Sequence, residues 1–322
     1  KVAPQAAHHV AVDPLHVSEE LREGKHDVWR FLSAEHLEHH DLAIIGPPGS
    51  GKTTLLQHTA LSLVSGKTRV LNALSDKLPL LLFLRNHTQV ISKKLDYTLA
   101  EAARFALLIG NMSDPPPNHW FEKYLQRGEC LVMLDGLDEV ADDTTRQGVA
   151  KWVQKQMGRY PKNRFIVTSR PFGYRSNPLR DMMVLEVQPF TLKQVRSFVE
   201  RWYLANEIKS FQKDDPGVRM KALEGAEDLI QRIRHTPSLS ALAVNPLLLT
   251  MISTVHRYRS SLPERRVELY AEICDAFLGK RQEARGMTMS LTPAQKQSVL
   301  QPLAYHMMKH EQRKVSHEAA ID

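Results

Sequence analysis

Cysteine is nearly absent from this chain: Cys130 and Cys274 are the only two in 322 residues, and neither belongs to a Cys-x-x-Cys pair. That excludes a disulfide scaffold, and it fits a reducing, cytosolic compartment with both thiols as small apolar packing groups. Long apolar runs are missing too. No window approaches about 18 consecutive apolar residues, so no membrane span is expected. Blocks of five or six like charges are also absent, although the formal net charge is +7. The Lys and Arg residues are dispersed, which favours a solvated basic surface over a dedicated nucleic-acid face. There is no internal repeat or low-complexity tract, and no signal-peptide pattern follows Lys1, which suggests a piece of a longer protein. Histidine is plentiful at 15 residues. Neither the His36, His39 and His40 group nor the His306 and His310 pair has the Cys, Asp or Glu partners of a known metal-ligand spacing. Surface or packed roles are expected for them.

What the chain does contain is a soluble composition, 42% hydrophobic and 25% charged, at a length that calls for two or three compact units. Residues 1–40 show weak periodicity and read as a loosely packed lead-in segment. From 41 to 190 apolar runs alternate with helical patterns. Strands are expected at 42–45, 80–84, 130–134, 164–168 and 183–187, with helices near 52–64, 97–108, 119–127 and 144–158. That alternation predicts an α/β unit built on a parallel sheet covered on both faces.

After Pro189 the strand signal stops. Thr191 with Gln194 forms a capping box ahead of an apolar face through Val195, Val199 and Tyr203. Helices are expected at 218–234, 246–258 and 264–281, so 191–285 reads as an all-helical domain. Thr292, Pro293 and Gln295 then open another helix in a final segment, 286–322.

Three segments carry chemistry. Gly46-Pro47-Pro48-Gly49-Ser50-Gly51-Lys52-Thr53 is a complete G-x-x-x-x-G-K-[ST] loop between an apolar strand and a helix, followed by Thr54. Its glycines permit backbone angles that turn successive N–H groups onto phosphate oxygens, and the helix presents its positive end to the same anion. Lys52 is expected on the β- and γ-phosphates and the Thr53 hydroxyl on Mg²⁺. The second segment, Leu131-Val132-Met133-Leu134-Asp135-Gly136-Leu137-Asp138-Glu139, is an apolar strand ending in Asp. Asp135 is expected to hold Mg²⁺, and Asp138 or Glu139, with Glu139 preferred, to polarise an attacking water. The third, Phe165-Ile166-Val167-Thr168-Ser169-Arg170-Pro171, brings Arg170 to the end of a buried strand, where a guanidinium can sense a γ-phosphate.

Together these residues resemble the NACHT family of signal-transducing STAND ATPases, P-loop NTPases related to AAA+ proteins. Asp135-Gly136-Leu137-Asp138-Glu139 looks like the NACHT form of Walker B, and Thr168-Ser169-Arg170-Pro171 is similar to its sensor 1. Asn245-Pro246-Leu247-Leu248-Leu249-Thr250, with Leu262-Pro263-Glu264-Arg265-Arg266 and Leu269-Tyr270, resembles the helical domain of that family. The resemblance covers about residues 41–280. It implies that Pro246 packs on adenine and that a winged-helix domain begins after the helical one, so that the helix from Thr292 would be its first. The stretch near Pro14 to Val17, where the family closes the base pocket, matches nothing diagnostic. A histidine of the winged-helix domain touches the β-phosphate in many relatives; His306 and His310 come too early for that role.

The resemblance implies a switch operated by ATP, ADP and Mg²⁺, with slow hydrolysis and self-oligomerisation on ATP binding. Sensor and effector domains would lie outside this fragment, and relatives serve innate immunity or antiphage defence. A guanine-specific Asn-Lys-x-Asp motif is absent, which favours ATP over GTP. Two alternatives remain. An AAA+-type motor or DNA-associated ATPase draws mild support from the pI of about 9.3, although no nucleic-acid recognition motif is found. A small-molecule kinase would need an acceptor pocket and an arginine-bearing lid, and neither is located.

Overall fold

The computed structural model describes residues 2–4, 26, 28–33, 41–66, 74, 76–139, 143–259, 266–275, 278, 292–310, 312 and 315. The chain divides into two compact units, residues 1–189 and 190–322.

The first unit is a six-stranded sheet. In chain order its elements are β1 (Val2–Pro4), α1 (Val28–Ser33), β2 (Asp41–Ile45), α2 (Lys52–Ser65) and β3 (Leu78–Phe83). After a 3₁₀ turn at Leu84–Asn86 come α3 (Thr88–Lys93), α4 (Leu99–Ile109), α5 (Asn118–Arg127) and β4 (Cys130–Asp135). The unit closes with α6 (Asp143–Arg159), β5 (Arg164–Ser169), α7 (Pro171–Ser176) and β6 (Met182–Val187). Spatially the strands run β1-β6-β2-β5-β4-β3. Five are parallel, and β1 pairs antiparallel with β6 at the edge.

The apolar runs become strands buried on both sides because successive side chains alternate between faces. Ala43 and Ile45 of β2, Val132 and Leu134 of β4, and Phe165 and Val167 of β5 join one cluster with residues of α3 to α7. Leu42, Ile44, Leu131, Met133 and Ile166 join the other with Phe31 of α1 and Leu56 of α2. The result is a three-layer α/β/α sandwich.

The five expected parallel strands are present, each within two residues of its expected bounds. Residues 1–40 depart from expectation. Val2 pairs with Val187, and Val2, Val28, Phe31 and Leu32 are buried, so the described part of this stretch packs as an edge strand and a short helix. Three and six residues are too few to display a period. Helices α3 and α7, also six residues each, escape sequence reading for the same reason.

The second unit is helical throughout its described residues: α8 (Leu192–Phe211), α9 (Pro216–His235), α10 (Pro237–Ala243), α11 (Pro246–Arg259), α12 (Arg266–Asp275) and α13 (Pro293–Lys309). Capping boxes at Thr191/Gln194 and Thr292/Gln295 start α8 and α13. Val195, Val199, Leu229, Ile233, Leu249 and Ile252 lie in its core. Within it the His256 ring bridges the Tyr203 hydroxyl at 2.6 Å and Asp228 at 3.0 Å, and buried Glu207 pairs with Arg257 at 2.6 Å. Residues 264, 265, 276, 277 and 279–281 of the helix expected at 264–281 lie outside the described residues, as do Leu262 to Arg265 of the motif and Pro14 to Val17.

Candidate nucleotide-binding site

Strand register sets the site. Phe83 lies beside Asp135, Leu134 beside Val167, and Ile45 beside Ser169. The loop after β2, the acidic end of β4 and the Thr-Ser-Arg end of β5 therefore share the carboxyl edge of the sheet, the edge where open α/β sheets bind ligands.

Within the loop, Gly51 is the N-cap of α2 at φ 87°, and an added Cβ there would meet no atom within 4 Å. The backbone turns through a left-handed conformation around open space. No side chain caps this helix, so the N–H groups of Lys52, Thr53 and Thr54 point out of the first turn without an intrahelical acceptor. The Ser50 Oγ beside them is buried without a hydrogen-bond partner. Orphan donors, an orphan hydroxyl and a positive helix end describe an anion cradle. Gly49 is also left-handed, at φ 75°. Gly46 is not; its lack of a Cβ answers crowding instead, since a methyl would lie 2.8 Å from Ser50 Oγ and 3.1 Å from Val187 Cβ. Pro47 and Pro48 form the exposed tip.

Lys52 folds over the loop, its Nζ donating to the carbonyls of Gly46 at 2.9 Å and Pro47 at 3.1 Å. Burial holds its pKa below the ordinary lysine value and the Arg170 charge adds to this, against the opposing carboxylates of Asp138, Asp135 and Glu139. All five charges thus act within one small region.

Thr53 Oγ1 donates to Asp135 Oδ2 at 2.8 Å, joining the helix start to the end of β4. Thr168 Oγ1 donates to the other oxygen, Oδ1. Asp135 is buried, 2% exposed, and both its carboxylate oxygens accept from threonines. Past it, Asp138 accepts from the Arg170 backbone N–H at 2.9 Å and faces Arg170 Nε at 3.1 Å. Glu139, more exposed, pairs with Arg85 at 2.6 Å. Gly136, at φ 81°, has the Glu139 side chain lying across it. The space it leaves is taken by that glutamate.

The donors fit Mg²⁺. A hydroxyl and a carboxylate are hard oxygen ligands, and Mg²⁺ is commonly held by one or two protein groups with phosphates and water completing the octahedron. Among the described residues no group of three or more His, Cys, Asp or Glu could hold a metal by itself. None of the described helices is long and apolar enough to cross a membrane.

The family model described as "NACHT domain" matches residues 40–206, just over half the chain. The chain belongs to the NACHT family. NACHT domains are nucleotide-binding P-loop NTPases related to AAA+ ATPases, and such proteins generally bind nucleotide with Mg²⁺ and oligomerise. A search of curated proteins returned no match. Among solved structures, the chain is similar to the Aeropyrum pernix ORC1 protein, whose structure is in complex with DNA. The identity is 14%, the TM-score 0.37, and the alignment covers 78% of this chain and 63% of that one. The NACHT chain thus spans less than two thirds of the ORC1 chain, and a likeness of this degree says nothing about DNA here.

Lys52, Thr53, Asp135, Asp138 and Arg170 come together at the sheet edge, with Glu139 at its rim. Pro246 stands in the second unit, half-buried at the first turn of α11. Sequence reading overlooked Arg85, which carries no motif of its own and gains meaning only from the β3–β4 register.

Proposed function

We propose that this NACHT chain is an ATP-operated switch with slow, regulatory hydrolysis. The observation that carries the reading is the hydrogen-bonded run Thr53–Asp135–Thr168, which ties the uncapped start of α2 to the ends of β4 and β5. In it, the Gly46–Thr54 loop wraps the phosphates with backbone N–H groups, and Lys52 exchanges its two carbonyl partners for phosphate oxygens. Thr53 and Asp135 would hold Mg²⁺, which supplies charge neutralisation on the phosphate oxygens. Glu139 takes the proton of the attacking water, Asp138 orients Arg170, and Arg170 reads the γ-phosphate. Pro246 contacts the adenine, as the family resemblance implies.

ADP would hold a closed monomer and ATP an open, self-associating form. Moving such an equilibrium from mostly closed to mostly open takes about 5.5 kcal/mol of differential affinity. The triphosphate contributes part, and a trigger sensed by domains beyond this segment contributes the rest. Slow hydrolysis resets the state. The helix α13 opens a winged-helix domain in this reading, and the output is defence signalling, in innate immunity or against phage. Identification of the co-purifying nucleotide by mass, with ATP turnover of Glu139→Gln, tests it. ADP or ATP in the wild type, with binding retained and turnover lost in the variant, supports the switch. Normal turnover in the variant removes Glu139 from its role.

A DNA-associated ATPase is the second reading, favoured by the net charge of +7. Salt-dependent DNA affinity with stimulation of ATP turnover would promote it.

A further inference from the structure

Three helices of the second unit meet at one buried ring. His256 of α11 is 4% exposed and Tyr203 of α8 is 3% exposed, so their polar atoms depend on protein partners rather than on water. Nε2 of His256 lies 3.0 Å from Asp228 Oδ2 of α9, and that carboxylate also accepts from Arg232 Nε at 3.2 Å. A carboxylate accepts and does not donate, so the ring proton sits on Nε2. Nδ1 is then the bare acceptor, and the Tyr203 hydroxyl donates to it at 2.6 Å. Burial first, and the Asp228 charge after it, hold that hydroxyl protonated well above the ordinary tyrosine range. Gly225 makes the approach possible. It stands in mid-α9, where glycine weakens a helix, yet a Cβ there would lie 2.7 Å from Tyr203 Cε1. The neutral ring thus satisfies both of its nitrogens and the hydroxyl.

We propose that His256 is an acid-operated clasp of the helical unit: the neutral ring locks α11 to α8 and α9, and the charged ring lets them part. A second ring proton would occupy Nδ1 and face the Tyr203 oxygen. The hydroxyl proton would then lose its acceptor, and among the described residues that hydroxyl has no other hydrogen-bond partner. A buried donor without a partner, beside a new buried charge, opposes the closed state. Burial is the largest influence keeping the ring neutral, Arg232 adds to it, and Asp228 opposes both. Glu207 of α8 is engaged by Arg257 at 2.6 Å. Helix α10 has no titratable side chain, and no described charge of α12 acts on the ring. The clasp therefore contributes fully above the ordinary histidine value of 6.5, and its contribution is lost as pH falls through the lower value of the folded chain. It needs no nucleotide and stands apart from the switch proposed above.

Hydrogen exchange of the whole chain at pH 7.5 and 5.5, corrected for the intrinsic pH dependence of exchange, tests it. In the wild type, opening of α11 is expected to rise by up to about ten-fold at the lower pH, because the opened ring takes up a proton that the closed ring refuses. His256→Gln keeps an oxygen for Tyr203 and an N–H for Asp228 but cannot titrate, and its opening is expected to stay the same. Nitrogen-15 spectra of the histidines supply a second measurement that needs no substitution at the ring. They are expected to show wild-type His256 neutral at pH 7.5 with its proton on Nε2, and to place its midpoint below 6.5. Asp228→Asn removes the charge that favours the protonated ring, so it lowers that midpoint further. Opening of α11 that is insensitive to pH, or that rises equally in wild type and His256→Gln, overturns the clasp. So does a His256 midpoint at or above 6.5, or one that Asp228→Asn leaves unmoved.

Discussion

The Thr168 hydroxyl donates to Asp135 and accepts from the Gly136 N–H, so one side chain of β5 fixes both the carboxylate and the turn that follows it on β4. The Thr168 carbonyl extends the tie by accepting from the Leu137 N–H at 2.9 Å. Thr168→Val keeps the shape and removes the hydroxyl. It strands a buried carboxylate oxygen and a buried N–H, at a cost of about 2–3 kcal/mol in unfolding free energy. Chemical denaturation checks the stability, and titration with Mg²⁺–ATP is expected to show weaker binding because Asp135 is no longer oriented. Wild-type values on both counts would dismiss Thr168 as the organiser of this edge.

Gly173 of α7 lies against Asp138. A Cβ on residue 173 would approach the Asp138 Cβ to 2.3 Å, closer than real atoms come. Gly173→Ala must therefore push Asp138 away from the Arg170 N–H and guanidinium. The expected result is a loss of about 1–3 kcal/mol, read by thermal unfolding, together with slower ATP turnover. Retained turnover would mean that the Asp138–Arg170 pair is not needed.

At the opposite edge of the sheet, burial pushes the Asp41 carboxyl up to about 6, against the Phe165 N–H and the Arg164 charge, which favour ionisation. The folded chain holds this proton more tightly than the unfolded chain. Its contribution is complete below the unfolded value near 3.8 and is lost as pH rises through about 6. Asp41→Asn keeps an oxygen for the Phe165 N–H and abolishes that dependence. It should stabilise the protein by about 1–2 kcal/mol above pH 6, after allowance for partial exposure, with the gain fading toward pH 4. Denaturation midpoints at the two pH values check the sign.

Much of this geometry is local in the sequence and could be read there. The loop Gly46–Thr53 and the runs ending at Asp135 and Arg170 each carry their own spacing, and their strands are apolar enough to declare themselves buried. Capping boxes at Thr191 and Thr292 announce helix starts because the two partners stand three residues apart. What escaped is set by distant pairing. Arg85 meets Glu139 across 54 positions of chain, and Thr168 meets Asp135 across 33. Neither arginine nor threonine signals its partner by type. Gly46 was expected to serve backbone freedom and instead serves clearance from Val187, a contact that exists only once β6 lies beside β2.

The central claim is that the Gly46–Thr54 cradle with Asp135 takes a magnesium-bound adenosine triphosphate. Isothermal titration of ATP, with and without Mg²⁺, into wild type and Lys52→Ala tests it most directly. The account predicts one ATP per wild-type chain, tighter with Mg²⁺, and no measurable binding by Lys52→Ala. Equal binding by the two proteins, or none by the wild type, would contradict it.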